Sequence, residues 1–539
     1  MIGADAIIKC LEAEGVDTVY GYPGVAICPF YNSILDSDIQ TILVRTEQNA
    51  AHAASGYARI SGKPGVCAVT SGPGATNVIT GIATAFADSI PLVCITGQVN
   101  SQLLGSDVFQ EADITGAVES FVKYSYLIKD VDEIPRVFKE AFYIANSGRK
   151  GPVLIDIPID IQNAVIKGFK YPEELSMRTY KPTVKGNSVQ IKKVIKELEK
   201  AKRPIICAGG GVHLSDATDE FREFVHKHNI PVVSTMMGIG VMPTKDDMYF
   251  GMVGNNGKAY ANRAMNEADL MIMVGARAAD RAISQPGLVM ENKVLVHMDV
   301  DPAEIGKNCG PTIPLVGDAK HIFREMIDTE FECQNHDEWL ATLKEYREGM
   351  KKVRKVNPEF VDPAEFITRL SEKMDDDAVY VADVGQNQIW SCGYHIVKDG
   401  RFLTSGGMGT MGYSIPAAMG AKRADMSKQV VAVCGDGSFQ MSMMELATMQ
   451  QYKIPFKIIV LKNNFLGMVR EYQHFTYKES YSVVDLSGSP DLEKLSAAYN
   501  IPFIRVFNMD EADAKIDAFL SSDGPVLMEC LVDPMDIVR

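Results

Sequence analysis

The sequence predicts an α/β protein made of three doubly wound parallel-sheet domains. Three observations predict it: apolar strands alternate with helical stretches, two polar joints divide the chain, and its last third echoes its first. Residues 66–70, 92–96, 153–157, 205–208, 270–274, 294–299, 430–434 and 457–461 are short and almost wholly apolar. Parallel strands covered on both faces read this way, and the helical stretches between them complete the alternation. The joints are 166–187, polar and aperiodic, and 344–357, densely charged and followed by Pro358. An exposed helix with a loop is the other reading of the second joint. They divide the chain into 1–165, 185–345 and 360–539, and 539 residues is too long for one core.

The echo pairs two strand–loop–helix units. In the first third a strand ends in Thr70-Ser71-Gly72-Pro73-Gly74, a helix follows with Ala83 and Thr84, and Ile90-Pro91 opens the next strand. In the last third a strand ends in Gly435-Asp436-Gly437, a helix follows with Ala447 and Thr448, and Ile454-Pro455 opens the next strand. Each unit follows a helix rich in small residues, 50–58 and 416–421. Two α/β units can resemble each other by chance. Read functionally, two related domains face one another and hold a ligand between them.

Composition narrows the partners. A net charge of −15 argues against nucleic acid or an anionic membrane, though not against phosphate held at a loop or helix start. No apolar run approaches the ~20 residues of a membrane span. The chain enters an amphipathic pattern at Ala6, Ile7, Cys10 and Leu11, so secretion is not expected. Ten cysteines form no CxxC pair, and Cys67, Cys94, Cys207 and Cys434 sit in strands as small hydrophobes. A reducing cytoplasm fits.

The strongest local signal is Gly435-Asp436-Gly437-Ser438, with Asn463 twenty-seven positions after Asp436. Glycines beside Asp436 let backbone approach a ligand closely. A carboxylate at one strand end and an amide oxygen at the next suit a hard cation with oxygen ligands. Such a cation neutralises a diphosphate, with N–H groups of the following helix start helping. A Gly-Asp-Gly triplet alone is often only a turn; the spacing to Asn463 matches the pattern by which thiamine-diphosphate enzymes hold Mg2+. The second signal is Glu47, between an apolar strand and an alanine-rich helix. Alone it reads as a helix N-terminal charge. Beside a thiamine site it reads as the carboxyl that shares a proton with the aminopyrimidine N1′.

Further stretches carry a family resemblance: 21–24, 47–59, 70–77, 95–99, 109–113, 299–306, 406–412 and 467–470. With the motifs above they make the chain similar, over nearly its full length, to the acetohydroxyacid synthase (acetolactate synthase) catalytic subunit. The resemblance implies the thiamine-diphosphate enzyme fold, with pyrimidine-binding, central and diphosphate-binding domains in that order. It implies that Glu47 activates the cofactor and that Asp436, Asn463 and the Phe465 carbonyl ligate Mg2+. Gln386, Gly437 and Ser438 then lie against the diphosphate. Met411 props the cofactor into a bent shape, although core packing alone would also explain a methionine there. The Gly409 carbonyl accepts from the cofactor's amino group, and Pro23, Gly24, Gly435 and Met468 complete the lining. Phe109 and Gln110 line the reaction chamber from a neighbouring subunit.

The resemblance also implies FAD in the middle domain, with no redox part in the main reaction. The matching positions are Arg149, Gly210, Thr235, Gly275, Arg277, Asp280, Asp299 and Asp318. An acidic residue at a strand end, as Asp299 is, suits a ribose hydroxyl. A decayed nucleotide domain kept as scaffold is the other reading. Two members of the family's Arg-Phe-Asp-Asp-Arg segment are missing from Arg277-Ala278-Ala279-Asp280-Arg281. Arg281 remains and could hold a 2-keto acid carboxylate, or form a plain surface ion pair. Lys123 matches a family lysine without an assigned role.

Other departures are Val25 for a glycine, Thr46 for a histidine, Asn100 for a proline and Ile159 for a lysine. Asn255 and Asn256 replace a Met-His pair, Asn387 a histidine and Tyr472 a tryptophan. The chain ends at Arg539, short of the family's closing tail. Several changes near one pocket raise the expectation of altered substrates.

The function expected is therefore decarboxylation of a 2-keto acid, pyruvate first, and transfer of the remaining fragment to a second carbonyl compound. This is the chemistry of branched-chain amino acid biosynthesis. The alternatives are a 2-keto acid decarboxylase releasing an aldehyde, and a carboligase making a different 2-hydroxy ketone. A non-catalytic cofactor-binding subunit is opposed by Glu47, Asp436 and Asn463 together. A dinucleotide dehydrogenase is opposed by the absence of Gly-x-Gly-x-x-Gly after the first strand. The family implies a homodimer or homotetramer with active sites between subunits, and leaves a small regulatory subunit open.

Overall fold

A computed structural model of the chain describes residues 1–310, 312–350 and 356–538. Among them are three six-stranded sheets, and every strand pair is parallel. The first holds β1 (Thr18–Tyr22), β2 (Gln40–Leu43), β3 (Gly65–Val69), β4 (Leu92–Gln98), β5 (Tyr124–Leu127) and β6 (Pro152–Pro158). The second holds β7 (Pro204–Ala208), β8 (Val232–Ser234), β9 (Tyr249–Met252), β10 (Leu270–Val274), β11 (Val294–Asp299) and β12 (Ile313–Val316). The third holds β13 (Val379–Ala382), β14 (Arg401–Thr404), β15 (Val430–Gly435), β16 (Lys457–Lys462), β17 (Phe503–Val506) and β18 (Val526–Leu531). Central strands are buried on both faces, which is why they read as unbroken apolar runs.

Strand order explains the echo. The first sheet runs β2-β1-β3-β4-β6-β5 and the third β14-β13-β15-β16-β18-β17, the same topology twelve strands later. β3 and β15, the two echoing strands, occupy the same place. The second sheet runs β12-β11-β10-β7-β8-β9, which read backwards is the dinucleotide-binding order. In such sheets ligands gather at the carboxyl ends of the strands where the order reverses. Those points are β1/β3, β7/β10 and β13/β15, and the predicted site residues cluster there.

Five helices matter for the site: α1 (Glu47–Ser61), α2 (Ser414–Ala424), α3 (Asp436–Ser442), α4 (Glu445–Tyr452) and α5 (Gly467–Thr476). α1 and α2 are the small-residue helices of the two echoing units, and they cross at backbone contact. A Cβ on Gly56 would lie 2.7 Å from the Ala417 Cα, so neither helix can come this close with a larger residue there. One apolar core therefore runs from Cys67 and Cys94 through Ala50, Ala54, Ala417 and Ala421 to Val379 and Cys434. The ten cysteines are free, and eight of them are buried.

The three domains meet around residues 87–89. Arg277 Nη2 donates to the Ala87 carbonyl at 2.8 Å, and Arg149 Nε to Ser89 Oγ at 3.0 Å. Asp88 accepts from Gly407 N at 2.7 Å and Gly406 N at 3.2 Å. Of the second polar joint, residues 351–355 lie outside the described residues; its first part continues the helix Asp337–Gly349. No helix among the described residues is long and apolar enough to cross a membrane.

Candidate active centre and nucleotide cavity

The acid half stands at the β1/β3 switch point. Glu47 is the first residue of α1, directly after the turn from β2, and Thr46 before it is extended. Its Oε2 accepts from Asn77 Nδ2 at 3.0 Å. Gly74 lies beneath it, where a Cβ would fall 3.4 Å from Glu47 Oε1 and 2.7 Å from Thr70 Cγ2. Gly24, next to Pro23 at the end of β1, packs on the same threonine. Thr70 Oγ1 and Ser71 Oγ are buried at this strand end and have no hydrogen-bond partner among the described residues. Buried hydroxyls left unpaired are costly, so a polar ligand at this spot is a fitting partner. Asn77 has no assigned role in the sequence reading; its one signal is membership of the matched stretch 70–77.

Gln110 folds over the Gly72 turn with φ 60°, and a Cβ on Gly72 would be 2.9 Å from the Gln110 Cα. Phe109 beside it is 87% exposed and Val25, after Gly24, is 76% exposed. The structure thus brings Pro23, Gly24, Glu47, Phe109 and Gln110 around one strand-end cleft.

The clamp half stands at the β13/β15 switch point. Asp436, the first residue of α3, is only 4% exposed. Its Oδ2 accepts from Asn464 N at 2.7 Å and its Oδ1 from Gly437 N at 3.1 Å. Burial pushes the carboxyl up to about 6 against the pull of these N–H groups. Asn464 takes φ 59°, a left-handed turn that asparagine tolerates, and this folds the loop back onto Asp436. Asn463 Oδ1 accepts from Phe465 N at 3.0 Å, and its Nδ2 donates to Gln386 Oε1 at 3.1 Å. Gln386 Nε2 in turn donates to Glu471 Oε2 and the Asp536 carbonyl, both at 3.0 Å. Phe465 is fixed by its neighbours: Leu466 N donates to Val484 O, and Leu486 N to Asn464 O, each at 2.8 Å. Ser438 Oγ donates to the Val384 carbonyl at 3.1 Å. Met411 reaches over Gly437, its Cε 3.5 Å from where a Cβ would stand.

This donor set fits Mg2+. Asp436 offers a carboxylate, Asn463 an amide oxygen and Phe465 a carbonyl. No group of three or more His, Cys, Asp or Glu that could hold a metal occurs among the described residues. One carboxylate with neutral oxygens leaves the remaining coordination to phosphate and water, as Mg2+ prefers.

The third feature is a cavity of about 830 Å3 at the β7/β10 switch point, large enough for a nucleotide cofactor. Arg149, Gly210, Thr235, Gly275, Arg277, Asp280, Asp299 and Asp318 all line it. It continues past Arg281 to Gly409 and Met468, so it opens toward the third sheet's site. Burial pushes the Asp299 carboxyl up to about 6, and its Oδ1 accepts from Asp301 N at 2.9 Å. Asp318 also caps the helix Ala319–Asp328 by accepting from Lys320 N and His321 N. Arg281 is 79% exposed with Asp280 Oδ2 3.6 Å away, a loose pair at the cavity mouth.

The departures differ in kind. Asn387 is buried, and its Nδ2 donates to the carbonyls of Asp383 at 3.0 Å and Val433 at 2.8 Å, so its amide serves the sheet end. Asn100 caps a short turn through Gln102 N. Asn256 lines the large cavity, and Tyr472 stands exposed on α5. Lys123 donates to Ser147 O at 2.7 Å and also to Ile144 O, closing the end of the helix Ile134–Asn146.

Comparison with known proteins agrees with these three features. Residues 1–117 match the thiamine pyrophosphate enzyme N-terminal TPP binding domain, 191–326 its central domain and 383–530 its C-terminal TPP binding domain. A probable acetolactate synthase large subunit of Methanocaldococcus jannaschii is 42% identical over 99% of this chain and 93% of its own length. The acetolactate synthase large subunit of Haemophilus influenzae is 41% identical over 99% of this chain and 95% of its own. That of Lactococcus lactis is 40% identical over 99% and 93%. With strand order, three domain matches and full-length identity in agreement, the chain belongs to the acetolactate synthase large-subunit family of thiamine pyrophosphate enzymes.

Proposed function

We propose that the chain decarboxylates a 2-keto acid, pyruvate first, and joins the remaining two-carbon fragment to a second 2-keto acid. The observation that carries this is the pair of equivalent switch points, one presenting Glu47 and the other Asp436 with Asn463. When bound, thiamine diphosphate supplies the electron sink into which the carboxylate's electrons flow as CO2 leaves. Glu47 would hold a proton at the pyrimidine nitrogen, and Asn77 fixes the carboxyl's direction. Asp436, Asn463 and the Phe465 carbonyl would hold Mg2+. Gln386, Gly435, Gly437 and Ser438 would lie against the diphosphate, and Met411, which reaches over Gly437, would pack against the cofactor. The Gly409 carbonyl would accept from the cofactor's amino group, and Met468, on the same cavity lining, would close that side.

FAD in the 830 Å3 cavity would meet Arg149, Gly210, Thr235, Gly275, Arg277, Asp280, Asp299 and Asp318. It takes no redox part in the joining step. Arg281 at the cavity mouth is placed to receive the second substrate's carboxylate.

The working unit proposed is at least a homodimer. Glu47 meets Asn77 and Gly74 of its own domain, and the apolar Val25 and Phe109 beside it are exposed. Val469, Tyr472 and Phe475 of α5, and Val483, are exposed beside the clamp. Two such surfaces cover each other when the acid of one subunit faces the clamp of another. Relatives named large subunits support a small regulatory partner. The buried cysteines support the expectation of a reducing, cytoplasmic setting.

The test is incubation of protein loaded with thiamine diphosphate and Mg2+ with pyruvate alone and with pairs of 2-keto acids, products read by mass. Acetolactate from pyruvate alone, and a 2-alkyl-2-hydroxy-3-ketobutanoate from a mixed pair, are expected. Free acetaldehyde as the sole product would replace this reading with a plain decarboxylase.

A further inference from the structure

The segment leading into Glu47 is not held by its own domain alone. Three residues on one face of α4 in the third domain, Glu445, Thr448 and Tyr452, grip residues 43–49. Leu43 N donates to the Tyr452 hydroxyl oxygen at 2.9 Å. Arg45 N donates to Glu445 Oε1 at 2.8 Å, and Asn49 Nδ2 donates to the same oxygen at 2.9 Å. The Thr448 hydroxyl lies 2.7 Å from Glu445 Oε2 and 3.2 Å from the Leu43 carbonyl oxygen. Glu445 is completely buried, and so are Asn49 and Thr448. Glu47 sits between the two donors that Glu445 holds, two residues from each.

We propose that Glu445 is a positioning residue for Glu47: by holding Arg45 N and Asn49 Nδ2 on one carboxylate oxygen, it sets where the first turn of α1 points the Glu47 carboxyl. This rests on the reading of Glu47 as the proton-holding group at the cofactor. A buried carboxyl needs partners for its oxygens, and among the described residues its hydrogen-bond donors come from α4 itself and from Arg45 and Asn49, on either side of Glu47. The main-chain bond from Arg45 fixes the turn, and the side-chain bond from Asn49 fixes the rotation of α1 about its axis. α4 follows α3 closely, and α3 begins with Asp436. One continuous stretch therefore carries the clamp's carboxylate, Asp436, and holds the acid's segment.

The test compares Glu445→Ala, Glu445→Gln and Glu47→Gln in the full chain. Burial pushes the Glu445 carboxyl upward, so the neutral amide of glutamine is a close substitute that still accepts from Arg45 N and Asn49. Three quantities are read: amide hydrogen exchange of the 43–49 peptide in cofactor-free protein, proton exchange at the cofactor's C2 position in loaded protein, and kcat with KM for pyruvate. In Glu445→Ala, exchange across 43–49 rises while the rest of the first domain stays protected. C2 exchange and kcat fall together by about 10- to 100-fold, the loss expected when a reacting group is displaced by about an ångström, and KM changes little. Glu445→Gln stays within about threefold of the parent in both.

Parent-like C2 exchange in Glu445→Ala, with Glu47→Gln strongly impaired, overturns the positioning role and leaves the reading of Glu47 standing. Parent-like C2 exchange in Glu47→Gln overturns that reading and the proposal with it. Should Glu445→Ala fail to fold, Asn49→Ala and Tyr452→Phe replace it. A parallel fall in C2 exchange and kcat supports the proposal, and no fall in either variant overturns it.

Discussion

Gly420 of α2 lies so close to Ala53 of α1 that a Cβ on the glycine would stand 2.7 Å from the Ala53 carbonyl carbon and 2.8 Å from Tyr57 N. Both neighbours are helix backbone, which cannot rotate away. The first and third domains are joined through this crossing, and Asn49, at the start of the same helix, reaches Glu445 beyond it.

Gly420→Val should therefore force the two helices apart. Overpacking of this kind costs about 1–3 kcal/mol or more, felt across the shared core. The expected outcome is a lower thermal midpoint and increased aggregation, read by calorimetry and light scattering. A variant as stable as the parent would show that the crossing has slack.

Removing Mg2+ with a chelator should abolish turnover, and adding it back should restore activity. Asp436→Ala should weaken Mg2+-dependent binding of thiamine diphosphate by more than the ~10–100-fold that losing an outer-shell partner costs. Isothermal titration with cofactor and metal measures this. Equal affinity in the presence and absence of Mg2+ would contradict the clamp.

His52, fully buried on α1 against the Tyr413 ring, is held well into its neutral form, its pKa pushed down to about 3 by burial. Unfolding releases it to an ordinary pKa near 6.5. Between these values the unfolded chain binds the extra proton, so this group's contribution is complete above about pH 6.5 and is lost as pH falls toward 3. His52→Leu should thus lose less thermal stability than the parent between pH 7 and pH 5. Because other titrating groups are common to both proteins, the difference between their curves isolates His52. Parallel curves would count against the assignment.

Asp299→Ala should bind flavin about 10- to 100-fold more weakly, the loss of a hydrogen bond to a charged group. The fold should survive, because the Asp299 side chain makes one backbone contact, to Asp301 N. Visible absorption of the purified variant against the parent checks this. Undiminished flavin would move the ribose contact to another cavity residue.

The site was legible in part. Asp436 and Asn463 announce themselves because a metal clamp built on consecutive strand ends leaves a fixed spacing in the chain. Glu47 needed the thiamine site read from Asp436 and Asn463 beside it, since a lone acid before a helix is ordinary. Asn77, Thr70 and Ser71 lay inside a matched stretch without any sign of which atom faces the cleft. Among the departures, Asn387 looked like a pocket change and is a buried partner of the sheet backbone. Arg281, read as a carboxylate anchor or a surface pair, stands exposed beside Asp280.

By itself the sequence determined eight apolar strands, their parallel burial and the repeated unit, because these leave local traces in residue type. It also singled out Asp436 and Asn463 as a candidate metal clamp, since only certain side chains offer hard oxygens at that spacing. The tertiary structure alone decided that the two repeats share one strand order and that residues from Arg149 to Met468 close around one cavity. It decided as well that Arg45 is held by Glu445, 400 positions away. Contacts of that span depend on how helices and sheets pack in space, and packing leaves no regular mark along the chain.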